Sequence, residues 1–260
     1  MMARGVRVHL HRIWGGWRPL LLGALLAFQW GTASFWNPWD MIAAGTLRNQ
    51  ITLLIIPAYL LLLVRDLRHP WEALVGVRAG SGEAWWGAQV LAAGATAVVL
   101  TVAMVVLFFS LALASHHWAW WWSRSALALE FLVNAHVIAT WAPWWWCLDA
   151  LALLALGLWA VGGVWMVLAL WWRSGWAAWL VVMMLCLIPS ELMGPTPGGF
   201  VVWLLPGAQF SMIQHWVFPG SPSPTWSIGY AVVLLAGTTL LGRRLVRTPP
   251  WDARHGEPTA

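Results

Sequence analysis

Apolar runs close to the roughly 20 residues needed to cross a hydrocarbon core recur along the chain, separated by short stretches rich in arginine, proline, glycine and tryptophan. Six spans are predicted, over residues 19–36, 47–64, 88–114, 148–172, 176–192 and 226–241. Proline opens the first, and Asn37-Pro38-Trp39-Asp40 is read as the turn that closes it. Pro57 should kink the second, because it removes a helical N–H and its ring crowds the preceding turn. Spans tolerate such a break when neighbours satisfy the freed carbonyl. Two further apolar segments do not read as spans. Residues 118–146 carry Trp120-Trp121-Trp122 and Trp144-Trp145-Trp146, and indoles favour the headgroup level, so this segment is expected to lie flat on the outer face. Residues 200–218 follow the Gly194-Pro195-Thr196-Pro197-Gly198-Gly199 turn and are broken by Pro206. They read as an outer re-entrant hairpin between spans five and six.

Composition supports the lipid reading. Of the 260 residues, 61% are hydrophobic and 9% charged, against about 25% charged in an ordinary soluble domain. The expected fold is therefore an all-α polytopic membrane protein forming one domain over residues 1–260. Its basic first stretch, residues 1–18, runs into an apolar segment without a small-residue cleavage site, and is read as part of an uncleaved first helix rather than a secretory signal.

Charge sets the expected orientation, since flanking arginines are retained on the cytoplasmic side. Arg4, Arg7, Arg12 and Arg18 precede span one, and Arg65, Arg68 and Arg78 follow span two. Arg173 separates spans four and five, and Arg243, Arg244, Arg247 and Arg254 follow span six. Only Arg48 and Arg124 fall on the other side. Both termini are thus expected in the cytoplasm, with residues 242–260 as a cytoplasmic tail. Every basic side chain other than histidine is arginine. A Walker A loop and a Schiff-base enzyme both need a lysine, so neither can be built from this sequence.

Candidate chemistry is sparse. Cys147 and Cys186 read as small buried side chains, not a disulfide. His116, His117 and His136 share the outer segment with Glu130, but adjacent histidines point apart and no metal-binding helix spacing is present. Asp149, at the start of span four, and Glu191, at the end of span five, are expected near the outer interface. They are read either as solvated carboxylates or as the lining of a translocation path or its exit. Asp40 and Arg48 flank the first outer turn, where they could pair. The 26 tryptophans read as interfacial anchors. Nothing in the pattern favours an enzyme, and no catalytic, cofactor or metal residue is assigned.

The inner loop carries the most information. It runs through Asp66, Arg68, Glu72, Arg78, Gly80-Ser81-Gly82, Glu83 and Trp85-Trp86-Gly87. Together with a basic amphipathic helix at Val6 to Trp17, six spans and the outer hairpin, it resembles the membrane subunit of ATP-binding-cassette exporters of the second type. The resemblance implies an interface helix at residues 1–18 and a coupling loop from Asp66 to Gly87. It also implies a separate cytoplasmic ATPase that carries the ATP and magnesium, and a second permease subunit, identical or related. Asp66, Arg68, Glu72, Arg78 and Glu83 would contact the ATPase, and the first-helix arginines would rest on membrane lipid. No nucleic-acid partner is expected. The implied location is a bacterial cytoplasmic membrane. A non-transporting scaffold or assembly factor is the alternative, followed by an intramembrane metal-dependent enzyme.

Overall fold

The computed structural model describes residues 6–7, 10–11, 13–15, 23, 37–45, 51–67, 82–114, 118–121, 142–192, 209–210 and 223–247. Every regular element among them is helical: α1 (Pro38–Gly45), a π-helical turn (Ile51–Ile55) leading into α2 (Ile56–Leu67), α3 (Gly82–Ala114), α4 (Pro143–Trp172), α5 (Gly175–Leu192) and α6 (Pro224–Arg247). Three of these, α3, α4 and α6, are long and apolar enough to cross a membrane. The protein is accordingly a membrane protein. Two shorter apolar helices, Leu53–Val64 and Gly175–Leu187, accompany them. Spans one and five and the basic tail beyond Arg247 are covered differently: residues 24–36 and 248–260 lie outside the described residues, while α5 matches the fifth expected span within one residue.

Several boundaries differ from the sequence reading. Asn37 to Asp40 does not form a closing turn. Asn37 caps α1, its side-chain oxygen accepting the Asp40 N–H at 2.9 Å, with Pro38 at the first helical position. The predicted kink at Pro57 takes the form of the π-helical turn just before it, a wider turn that relieves the clash around residue 53. α3 begins at Gly82, so the last six residues of the expected coupling loop are already helical. α4 begins at Pro143 and carries Trp144, Trp145 and Trp146 in its first turn, not on a flat outer segment. α6 continues to Arg247, because arginine is a good helix former and a helix has no reason to stop where lipid does.

Near the N-terminus, Val6, Leu10, Ile13 and Trp14 are partly or fully buried while Arg7 and His11 are exposed. This is the i, i+4, i+7 spacing of an amphipathic helix, and Ile13, Leu10 and Trp14 join the core.

α4 is the hub: α1, α2, α3, α5 and α6 all pack against it. Of its most apolar window 61% is buried, against 33% in α3 and 22% in α6. Helices in lipid gain no hydrophobic drive from meeting each other, so close packing and interhelical hydrogen bonds must hold them. Here glycines open notches that aromatic side chains fill. The Tyr59 hydroxyl lies where a Cβ on Gly162 would approach within 2.5 Å, and donates to the Ala93 carbonyl at 3.0 Å. One hydroxyl thus ties α2, α3 and α4. The Trp159 indole covers Gly94, 2.6 Å from a notional Cβ, and donates to the Val90 carbonyl at 2.8 Å. Thr238 of α6 occupies the notch at Gly163 and returns its own proton to the Leu234 carbonyl. Trp86 of α3 covers Gly242 of α6 and donates to the Thr239 carbonyl at 3.0 Å.

These notches fix direction. α3 meets α6 start to end, whereas α4 and α6 run parallel. α5 turns back from α4 at Arg173, held by the Trp165 indole donating to the Gly175 carbonyl at 3.0 Å.

Gly242→Val should lose about 1–3 kcal/mol through overpacking against Trp86. Gly237→Ala, where nothing stands within 4 Å of an added Cβ, should be neutral or gain up to about 1 kcal/mol of helix propensity. Thermal unfolding of the two purified variants in the same detergent checks the contrast.

Candidate functional site

Two poles of the bundle gather polar and aromatic side chains. At the first, the start of α3, the end of α4, the start of α5 and the end of α6 converge. Gly82 opens α3 against the Val246 carbonyl, and one residue on, the Glu83 carboxylate accepts the Arg247 Nε–H at 2.7 Å. Both side chains reach solvent, so the pair contributes little stability by itself. Its value is positional. It closes the same contact that Trp86 makes with Gly242 one turn deeper, so α3 starts from an anchored helix end. Arg173, Arg243 and Arg244 are exposed around this pole.

Of the five residues expected to couple to an ATPase, Glu83 is the one whose side chain is described, and it faces Arg247 of α6. Asp66 falls in the last turn of α2, with its side chain outside the described residues. Arg68, Glu72 and Arg78 lie outside them altogether.

The opposite pole is a tryptophan-rich cap. Asn37 donates to the Trp121 carbonyl at 2.9 Å and Trp39 to the Ala119 carbonyl at 3.0 Å, so α1 pins residues 119–121. Trp39, Phe109, Trp118 and Trp120 then form a chain of edge-to-face contacts with centroids 5.3, 5.5 and 5.4 Å apart, a preferred aromatic geometry. Exposed Trp144 and Trp145 stack at 4.1 Å beside it.

Asp40 lies buried under this cap. It occupies the third position of α1, where a carboxylate complements the helix dipole. The sequence reading has it flank the first outer turn with Arg48, where the two could pair; Arg48 lies outside the described residues. The signal that identifies the helix start was present: an Asn cap, proline at the first position and an acid at the third.

Asp149 and Glu191 are not brought together. Asp149 is exposed on the second turn of α4, and Glu191 belongs to the last turn of α5. Antiparallel pairing about the Arg173 turn sets Glu191 level with residue 156, roughly 10 Å along the axis from Asp149.

A buried polar contact that sequence reading did not assemble lies between these poles. Gln209 and Phe210 are both buried. Ser227 near the start of α6 donates to the Gln209 side-chain oxygen at 2.8 Å, and the Phe210 ring fills the notch at Gly157. Gly157 stands 14 residues into α4, a depth of roughly 21 Å. Gln209 was visible as a polar break in an apolar run, but Ser227 carried no signal of its own.

Among the described residues no group of three or more His, Cys, Asp or Glu could hold a metal ion. The weighed set His116, His117, Glu130 and His136 lies outside them. Cys147 and Cys186 are free and buried. Compared with family models, curated proteins and solved structures, the chain matches none.

Cysteines replacing Glu83 and Arg247, in a Cys147→Ser, Cys186→Ser background, should be joined by a short bifunctional thiol reagent in native membranes. Cysteines at positions 83 and 225, at opposite ends of the bundle, should not. Mass spectrometry of the linked peptides reads the result.

Proposed function

We propose that the chain is the membrane subunit of an ATP-driven exporter of the second ATP-binding-cassette type. It would cross a bacterial cytoplasmic membrane six times with the arginine pole inside. The observation that carries this reading is the anchoring of the start of α3 to the end of α6 by Trp86, Gly242, Glu83 and Arg247. A loop that must transmit force from a cytoplasmic ATPase needs a rigid base, and a base shared by two helices passes the push to both.

Two further features support it. The arginines whose places the helix contacts fix, Arg173, Arg243, Arg244 and Arg247, share one pole, in keeping with retention of positive charge in the cytoplasm. Buried Gln209 and Phe210 reach deep into the bundle from a segment that follows α5 and precedes α6, as a re-entrant hairpin would.

In this reading two copies, or this chain and a related one, associate with two ATPases that bind the ATP and magnesium. ATPase closure moves the inner loops and biases inward-facing against outward-facing states. Asp66, Arg68, Glu72, Arg78 and Glu83 present the polar contacts. Asp149, on the exposed face of α4, and Glu191 are the carboxylates available to a path or its exit. This chain itself performs no hydrolysis.

A mild-detergent pull-down of the tagged chain, followed by mass spectrometry and an ATPase assay, should recover a nucleotide-binding partner. Glu72→Arg should abolish that recovery while leaving the monodisperse membrane subunit intact. A monodisperse chain that brings down no ATPase would transfer the reading to a non-transporting scaffold.

A further inference from the structure

Of the carboxylates whose side chains are described, Asp40 is buried and Glu83 holds Arg247. Asp149 is exposed and makes no ion pair. It stands in the second turn of α4, and a charge on the outside of a spanning helix is costly unless water or a counter-ion meets it.

Its depth follows from the helix register. α4 and α6 run parallel, fixed by the Gly163 to Thr238 contact. Asp149 and Pro224, the first residue of α6, precede that contact by equal numbers of residues, so α6 begins level with Asp149. Toward the other pole, exposed Trp171 lies roughly 33 Å from Asp149 along α4, and exposed Arg243 roughly 28 Å from Pro224 along α6. These lengths bracket a hydrocarbon thickness of about 30 Å. Asp149 therefore stands at the edge of the hydrocarbon, and Trp144 and Trp145, roughly 6 Å or more further out along the axis, stand in the headgroup layer.

Trp145 and Asp149 are four residues apart on one helix face. Helical side chains lean toward the helix N-terminus, so the carboxylate leans toward the indole. Trp144 and Trp145 are 46% and 55% exposed, and their rings stack at 4.1 Å with planes 27° apart. One turn of α4 thus presents a carboxylate and indole faces together, the pairing that attracts an organic cation.

We propose that Asp149, Trp144 and Trp145 form a binding site for the primary ammonium group of an aminophospholipid of the phosphatidylethanolamine kind. The carboxylate accepts the ammonium N–H groups, and the indoles receive its positive charge on their faces. The height of the site, in the headgroup layer, selects a lipid over a free amine. The inference rests on the membrane reading alone, and holds for a scaffold as well as for a permease.

Native mass spectrometry of the protein released from nanodiscs of equal phosphatidylethanolamine and phosphatidylcholine, with matched acyl chains, tests it. Phosphatidylcholine has the same net charge, and its trimethylammonium can rest on an indole but has no N–H for the carboxylate. The wild-type chain should retain phosphatidylethanolamine over phosphatidylcholine by about threefold, the scale of an exposed ion pair. Asp149→Asn should bring the two lipids to parity, and Trp144→Leu with Trp145→Leu should lower the retention of both. Sodium chloride raised before release should shrink the wild-type preference, and free ethanolamine should leave it in place. Asp149 is also level with the start of α6, where a carboxylate complements the helix dipole. That role alone lowers the thermal stability of Asp149→Asn equally in discs of either lipid, whereas the proposed site adds a loss seen with phosphatidylethanolamine. Parity in the wild-type chain, a preference kept by Asp149→Asn, unchanged retention in the double tryptophan variant, or an equal stability loss in both lipids would each overturn the assignment. A preference abolished by free ethanolamine would overturn its lipid source. If Asp149→Asn does not fold, the salt series on the wild-type chain decides, and a preference flat across salt overturns the site.

Discussion

The Tyr59 hydroxyl, donating to the Ala93 carbonyl from within the notch at Gly162, shows the constraint on which the bundle depends. Helices in lipid satisfy their own backbones and have no water to expel from between them, so contact must be gained by proximity. A glycine removes the side chain that would hold two helices apart. An aromatic donor then enters the space and adds a hydrogen bond to a backbone carbonyl of a neighbouring helix. Tyr59, Trp86 and Trp159 repeat the arrangement at three levels. Without it α4 would have little to hold α2, α3 and α6 in one register, and neither pole would exist as a surface.

Much of the fold was legible because apolar runs and arginine placement are strong signals. α3 and α5 follow the expected spans closely, and the pattern of Val6, Leu10, Ile13 and Trp14 was that of an amphipathic helix. Errors gathered at the helix ends. Trp144 to Trp146 look interfacial whether they lie flat or open a helix, and Gly82 looks like a turn residue although it also starts a helix well when the next side chain is an acid. Asn37 and Pro38 were read as a stop, when the same residues also serve as a start.

The polar contacts were less legible, for a physical reason. Glu83 with Arg247 and Gln209 with Ser227 are separated by 164 and 18 positions, and their meeting is decided by which face of each helix turns inward. That choice was made by the glycines at 94, 157, 162, 163 and 242. A glycine in an apolar run reads as a break or a weakness until the partner that fills it is known. The tryptophans likewise read as one class of anchors, but they divide: Trp120, Trp144 and Trp171 are exposed. Trp86, Trp159 and Trp165 instead work as donors inside the bundle.

The span of the Trp86 contact bears on how the protein is made. Its indole bonds Thr239, 153 positions later, so a nascent chain already holding α3 in lipid lacks that acceptor until α6 emerges. The contact between α3 and α6 therefore closes only after α6 has been made. A chain that stops short of α6 leaves the Trp86 indole N–H without its Thr239 acceptor.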